Sequence, residues 1–164
     1  MKNKNILFIL IFTFFISLFS FTPNQNKNIY FPIKNKTYNI TSKYGYRTLN
    51  YYHFHNGIDI ALSEGTKLYS MADGVVSFIG YSKGYGNNVI ITYSNGYKSM
   101  YAHISSNFIV KKGQHVTAKE LVAYVGPKYL QNGKLNGMTT GPHLHFTIYK
   151  NGKHVNPLSI KYST

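Results

Sequence analysis

Short runs of strand-forming residues, separated by turn residues, dominate this 164-residue chain from about residue 40 onward. These runs are rich in Val, Ile, Tyr and Thr, which favour extended backbone, and they cover residues 74–80, 88–94, 97–103, 115–118, 121–126 and 143–149. Asn95-Gly96 and Asn151-Gly152 each stand between two such runs, as is typical of tight hairpins. Long segments with the apolar period of a helix are absent beyond the N-terminal region. The pattern predicts one mostly antiparallel β domain, residues 41–160, with loops at one edge.

The first 22 residues have the layout of an export signal. MKNKN places two lysines ahead of an apolar run, residues 6–21, and a basic stretch followed by an apolar stretch is typical of secretory signal peptides. The run is near the lower length limit for a membrane span, so an uncleaved anchor is the alternative. We therefore predict a signal peptide or membrane anchor over residues 1–22, followed by a lead-in segment, residues 23–40, that is rich in Asn and Lys.

The chain is strongly basic and contains no cysteine. Eighteen Lys and Arg face four Asp and Glu, which gives a net charge of +14. Such a surface favours anionic surroundings, for example cell-wall polymers or a membrane surface. The lysines are scattered rather than grouped in a block, which argues against a dedicated nucleic-acid site. Without cysteine the fold has no disulfides, but the chain beyond the signal is long enough to bury a core.

Two histidines lie almost side by side in TTGPHLHFTIY, residues 139–149. Side chains alternate between the faces of a strand, so His143 and His145 should point one way and Leu144 the other. Two interpretations fit this arrangement: a polar face turned to solvent, or a metal ligand beside a proton-transfer group. The motif alone does not decide between them.

A second motif, FHNGIDIA at residues 54–61, contains His55 and Asp59. Their spacing of four residues puts them on one face of either a helix or a strand, and the glycine and isoleucines of the motif favour the strand. An imidazole and a carboxylate on one face suit zinc. A third ligand from His143 or His145 would leave the fourth position to water, as in catalytic zinc sites.

Three motifs in order, FHNGIDIA, YAHIS at residues 101–105 and TTGPHLHF at residues 139–146, resemble the lysostaphin/LytM-type zinc metallopeptidases that cut peptidoglycan peptides. SKYGYR, EGTKLYSMADGVVSFIG, VKKGQHVTAKELVAYVG and the closing Asn156-Pro157 are further matches. The resemblance covers about residues 40–158. It implies the duplicated-hybrid-motif-like fold, in which antiparallel sheets form a groove and the zinc ligands meet across it.

The resemblance also implies a role for individual residues. It makes His55, Asp59 and His145 the ligands of one Zn²⁺. It makes His103 and His143 the catalytic histidines that do not bind the metal. All five positions are filled here, whereas some relatives of this fold lack ligands and act as regulators. The chain has no H-E-x-x-H motif whose glutamate could serve as the base, so the two free imidazoles would share proton transfer, with base and acid unassigned.

Two more residues are candidates for contact with the substrate. Arg47, in YGYR, is a candidate carbonyl or oxyanion partner, and a surface or loop role is the alternative. Tyr101 precedes His103 by two residues and shares its face if the strand is regular. It is therefore a candidate for lining the groove, with simple packing as the alternative.

The chain departs from its relatives just before the last motif. Gly126 is followed by PKYLQNGKLN, where relatives carry a short turn of Gly, Thr and Ser. We hypothesise that these added residues, 127–136, form one lip of the substrate groove and alter bond preference.

Together these features predict an exported, zinc-dependent endopeptidase that hydrolyses peptide bonds in peptidoglycan cross-links or stem peptides. It would act as a monomer in the periplasm or cell envelope. A non-catalytic wall-binding domain of the same fold, which activates a cell-wall amidase, is the main alternative. A basic, aromatic nucleic-acid binder is another, but the signal segment and the dispersed lysines argue against it. The sequence does not specify the scissile bond, which could be Gly-Gly, D-Ala to a diamino acid, or another cross-link.

Overall fold

A computed structural model describes residues 28–34, 37–47 and 53–164 of the chain. The predicted signal or anchor, residues 1–22, lies outside the described residues. Within the described part of the chain, no helix has the length and apolar character that crossing a membrane requires.

The described residues form twelve strands and one short 3₁₀ turn, all in the C-terminal four-fifths of the chain. The strands are β1 Asn39–Ser42, β2 Gly45–Arg47, β3 His53–His55, β4 Ile58–Ala61, β5 Lys67–Tyr69, β6 Gly74–Ser82, β7 Gly86–Tyr93, β8 Tyr97–Ala102, β9 His115–Val116, β10 Leu121–Tyr124, β11 His143–Lys150 and β12 Lys153–Val155, and the 3₁₀ turn is Pro157–Ser159. Eight strands make one sheet in the order β1-β4-β11-β8-β7-β6-β9, with β12 also paired to β11. Strands β5 and β10 form a two-stranded sheet, and β2 and β3 form another. Every strand pair is antiparallel, which confirms the predicted fold class.

The two predicted hairpin turns are confirmed. Asn151 and Gly152 both have positive φ, 49° and 79°, the combination that a two-residue type I′ turn requires. At the other hairpin, between β7 and β8, Gly96 adopts a φ of 77°. All six predicted strand runs contain strands, although β8 stops at Ala102 and does not reach His103.

The core lies against one face of strand β11 and its neighbours. Leu144, Phe146 and Ile148 alternate along β11 and are fully buried, as are Ile58 and Ile60 on the adjacent β4. Burial of each such side chain stabilises the fold by about 1.5–3 kcal/mol. The alternation leaves the histidines of β11 on the opposite face, as the HLH pattern predicts.

The described part of the lead-in segment packs against the domain predicted for residues 41–160. Ile33 is buried in the core, and the Phe31 ring contacts the Phe146 ring edge-on. Since Phe146 and His145 are consecutive strand residues, their side chains lie on opposite faces. Residues 28–34 therefore cover the apolar side of the sheet rather than the histidine side.

Candidate metal centre and active site

His55, Asp59 and His145 bring three potential metal-binding atoms together from three strands. Asp59 and His145 are directly opposite in the register of β4 and β11, and Asp59 Oδ1 lies 2.8 Å from His145 Nδ1. His55 Nε2, at the end of β3, lies 3.1 Å from His145 Nδ1 and 3.2 Å from Asp59 Oδ1. The three residues that the family resemblance implies as ligands thus converge on one point.

A break between strands β3 and β4 lets the side chains of His55 and Asp59 meet. Both lie in strands, as predicted, but β3 pairs with β2 whereas β4 belongs to the main sheet. Gly57 stands at the break, where an added Cβ would lie 2.5 Å from the carbonyl oxygen of Phe146. Only glycine allows this close approach to β11, and the His55 ring then lies beside Asp59.

Hydrogen bonds orient both histidine rings of this group. His55 Nδ1 lies 2.9 Å from the Lys43 carbonyl oxygen, which can only accept, so Nδ1 carries a hydrogen. In the neutral ring the Nε2 lone pair then faces the Asp59 carboxylate, and a cation between them would satisfy both acceptors. His145 Nε2 contacts the hydroxyl of Thr147 at 2.9 Å, which leaves Nδ1 directed at the same point. Partners of this kind are typical of metal-binding histidines.

The charge and spacing of the group fit zinc. Burial alone would raise the pKa of Asp59, but hydrogen bonds with His145 and His55 outweigh it and hold that pKa well below its usual range. Asp59 is therefore an anion. The donor atoms lie 2.8–3.2 Å apart, close to the roughly 3.3 Å that separates neighbouring nitrogen or oxygen ligands of tetrahedral zinc. Two imidazoles and one carboxylate are also a donor set that zinc accepts.

Arg47, the chain's single arginine, contacts the carboxylate of this group. Its Nη2 donates to Asp59 Oδ2 at 2.8 Å, while Oδ1 faces the histidines. The ion pair fixes the rotation of the carboxylate and compensates its charge. The sequence did not predict this contact, and an oxyanion role for Arg47 stays a prediction.

His103 and His143 lie beside the metal-binding group, with ring centroids 4.6 Å apart. His103 Nδ1 donates to the carbonyl oxygen of Asn136 at 2.7 Å, and His143 Nδ1 donates to that of Gly141 at 2.8 Å. His143 Nε2 lies 3.9 Å from Asp59 Oδ1. Burial lowers the pKa of His103 to about 4, so its ring is neutral at pH 7 and its Nε2 carries a lone pair.

Tyr101 does not share a face with His103. Strand β8 ends before His103, whose φ of 58° is left-handed, and this change in backbone direction breaks the strand alternation. Tyr101 is 0% exposed, packs against Phe146 and donates its hydroxyl to the Tyr69 carbonyl oxygen at 2.9 Å. The packing alternative therefore describes Tyr101, and it has no surface to offer a substrate.

Tyr85 also lies in the site, although no sequence motif pointed to it. Its ring lies 5.4 Å from that of His145, and its hydroxyl accepts a hydrogen bond from the Asn56 side chain. Its backbone carbonyl accepts from the His103 N–H at 3.0 Å. Tyr85 is one of sixteen tyrosines, and no local pattern separates it from those that pack in strands.

The added residues before the last motif form a small hairpin. Tyr129 and Leu135 are bridged across it, and both are partly exposed, at 55% and 43%. The hairpin ends at Asn136, whose carbonyl group contacts His103. Its base therefore adjoins the candidate site, as a lip of the groove would require, and its role in bond preference stays a hypothesis.

The model of peptidase family M23 matches residues 53–157. The chain belongs to this family. That matched region contains His55, Asp59, His103, His143 and His145, and the resemblance identified in the sequence is confirmed at the level of the family.

Two curated relatives of this M23 chain have different activities in their names. It is 40% identical over 128 residues to the DD-carboxypeptidase/endopeptidase Mpg of Neisseria meningitidis, an alignment that covers 76% of this chain and 27% of Mpg. It is 39% identical over 103 residues to the murein hydrolase activator NlpD of Salmonella typhimurium, which covers 62% of this chain and 25% of NlpD. The M23 chain thus spans about a quarter of the length of these relatives.

A solved structure shares the fold of this M23 chain. A zinc-containing peptidase of Vibrio cholerae aligns with a TM-score of 0.69 and 29% identity, over 83% of this chain and 41% of that one. The antiparallel architecture around the candidate metal centre is therefore one that a zinc-containing peptidase uses.

Proposed function

We propose that this M23 chain is a zinc-dependent endopeptidase that hydrolyses peptide bonds in peptidoglycan cross-links or stem peptides. The observation that carries the proposal is the convergence of three metal-binding atoms, from His55, Asp59 and His145, next to two further imidazoles. A binding module needs no such set. The similarity to Mpg, a carboxypeptidase/endopeptidase by name, and to a zinc-containing peptidase supports it.

In this proposal the two imidazoles outside the metal-binding group carry the protons. His55, Asp59 and His145 would hold a zinc ion, which would supply the Lewis acidity that polarises a carbonyl group and lowers the pKa of water. His103 and His143 each donate from Nδ1 to a backbone carbonyl, so their Nε2 atoms are the ones available for exchange. One Nε2 would take the proton of the attacking water, and the imidazolium formed would pass that proton to the leaving amine, either directly or through the other ring.

The proposed setting is the cell envelope. Residues 1–22, as a signal peptide or anchor, would export the chain to the periplasm or outer face, where its net charge of +14 favours contact with anionic polymers and membrane surface. We propose that the domain, including the described part of the lead-in, acts there as a monomer and without nucleic acid.

A second candidate function rests on the relative NlpD, which is a murein hydrolase activator by name. A domain of this fold could bind the wall and activate an amidase without cutting the polymer itself. The complete set of metal-binding and proton-transfer residues favours the enzyme, because an activator has no chemical use for it.

Mass spectrometry of muropeptides released from purified sacculi by the zinc-loaded protein tests the function. We expect cross-linked dimers to disappear and fragments cut at one defined peptide bond to appear, which would also identify the bond. A chelated sample is the control and should release nothing. An intact muropeptide profile with zinc-loaded protein, combined with faster wall digestion once an amidase is added, would favour the activator instead.

Loss of the Arg47 ion pair should weaken zinc binding without preventing it. Arg47→Ala leaves Asp59 free to rotate, and loss of a residue that orients a metal ligand typically costs about 10- to 100-fold in affinity. Arg47→Lys, which keeps the charge but lacks the planar donor group, should fall between Ala and wild type. Competition with a chromophoric zinc chelator measures the dissociation constants. Equal constants for all three proteins would show that the ion pair does not position Asp59.

Shortening the hairpin should change which bond is cut more than whether one is cut. We expect replacement of residues 129–135 by a two-residue turn, with Asn136 kept, to alter the ratio of muropeptide products, because the exposed Tyr129 and Leu135 are removed. Quantification of products from a defined mixture of cross-linked dimers provides the measurement. The same product ratio and rate as wild type would exclude the lip hypothesis.

A further inference from the structure

Asn136 has an unusually complete set of hydrogen bonds for a residue at the end of an exposed hairpin. It is 0% exposed. Its Oδ1 accepts from the Asn87 N–H at 2.8 Å, and its Nδ2 donates to the carbonyl oxygens of Ile104 and Pro127 at 3.0 and 3.3 Å. Both amide hydrogens and the amide oxygen are therefore used. The side chain ties together the start of β7, the residue after His103 and the start of the hairpin.

The backbone of Asn136 is held equally firmly. Its N–H donates to the Lys128 carbonyl oxygen at 2.9 Å, which closes the base of the hairpin. Gly86 packs so closely that an added Cβ would lie 2.3 Å from the Asn136 carbonyl oxygen, and an added Cβ at Gly126 would lie 2.7 Å from the side-chain Nδ2 of Asn136. The carbonyl group is thus confined by glycine backbone on one side.

That confined carbonyl is the one His103 contacts. Since β8 ends before His103, no regular strand directs its side chain. Two hydrogen bonds fix its left-handed backbone. The His103 N–H donates to the Tyr85 carbonyl oxygen, and the His103 carbonyl oxygen accepts from the Gly126 N–H. The ring itself is oriented by the 2.7 Å bond from Nδ1 to the Asn136 carbonyl oxygen.

We propose that Asn136 is a positioning residue for His103. Its fully bonded side chain fixes its own carbonyl group, and that carbonyl keeps the proton of His103 on Nδ1 and directs Nε2 towards the metal-binding group. The catalytic consequence rests on the proposed function, whereas the orientation of the ring does not. Asn136 closes the base of the added hairpin and also orients His103. The hairpin is therefore joined at its base to the residues that transfer protons.

Two variants on different segments test the contact from opposite sides. Asn136→Ala removes the three side-chain bonds that hold the carbonyl in place. Gly86→Ala inserts a methyl group where the carbonyl oxygen now lies. Asn132→Ala is the matched control on the same hairpin, since Asn132 is exposed and bonds only locally to the Lys134 N–H. Gly84→Ala is the matched glycine control, because Gly84 also has positive φ but its added Cβ would meet nothing closer than 3.9 Å.

The primary measurement is the tautomer of His103 in zinc-loaded, ¹⁵N-histidine-labelled protein, read from long-range ¹H–¹⁵N NMR spectra. Wild type and both controls should show the Nδ1–H form, whereas Asn136→Ala and Gly86→Ala should show loss of that form. In steady-state hydrolysis the two variants should lose about 10- to 100-fold in kcat, with KM changed less than about twofold. Zinc content should remain at the wild-type value.

A wild-type tautomer in both variants would overturn the proposal, and so would a wild-type kcat in the presence of a changed tautomer. Should Asn136→Ala fail to fold, Gly86→Ala decides. If the wild-type protein hydrolyses no peptidoglycan, the proposed function fails, but the tautomer comparison still decides whether Asn136 orients His103.

Discussion

Replacement of Asp59 by Asn, or of His145 by Ala, should abolish both zinc retention and peptidoglycan hydrolysis. His145→Ala removes one of three donor atoms that lie 2.8–3.2 Å apart, and Asp59→Asn replaces the charged carboxylate donor by a neutral amide. Asp59→Asn is the sharper of the two, because the amide has the shape of the carboxylate but not its charge. Without that charge the site loses the carboxylate anion and also its ion pair with Arg47. We expect two imidazoles and a neutral amide to hold zinc too weakly to survive dialysis.

Zinc content after dialysis, measured by inductively coupled plasma mass spectrometry, reports retention directly. Thermal unfolding gives a second readout that does not need substrate. Free zinc at about 100 times the dissociation constant should stabilise the wild type by about 2.7 kcal/mol and leave both variants unchanged. His115→Ala is the control, since His115 is an exposed residue of β9 at the far edge of the main sheet. Wild-type zinc content in Asp59→Asn and His145→Ala would disprove this metal site.

Much of the fold follows from local sequence pattern. The strand runs, the Asn151-Gly152 turn and the burial of Leu144 between two histidines depend on side-chain alternation and turn chemistry, which act over a few residues. The three motifs in order were enough to name the residues that converge. The distance between His55 and Asp59, however, depends on a break at Gly57 and on the pairing of β3 with a separate strand, which alternation alone does not reveal.

The interactions that local pattern missed are non-local ones. Arg47 reaches Asp59 from another sheet, and Tyr85 and Asn136 reach His103 through backbone groups that carry no residue-specific signal. The placement of Tyr101 failed for a related reason. A single left-handed residue, His103 with φ of 58°, reverses the face that simple alternation assigns. Such a conformation is uncommon for a non-glycine residue, and here it is kept by bonds to segments distant in sequence.

The left-handed conformation of His103 also determines how its role is best tested. His103→Asn should keep the wild-type zinc content and thermal stability but lower kcat by about 10²- to 10⁴-fold, the usual contribution of a positioned acid or base. Asparagine accepts left-handed backbone better than alanine does, so the change removes the imidazole with little added strain. His103 is not one of the converging donors, so zinc should stay.

Zinc content, unfolding temperature and steady-state kinetics on one preparation separate the possible causes. A fall in kcat with both other values unchanged assigns the loss to the imidazole, because the metal and the fold are intact. His143→Asn should behave in the same way if the two rings share proton transfer, and the double variant should lose less than the product of the two single losses, since residues that act as a unit are not additive. Wild-type kcat in His103→Asn would exclude His103 from the reaction and leave His143 as the sole candidate for moving both protons.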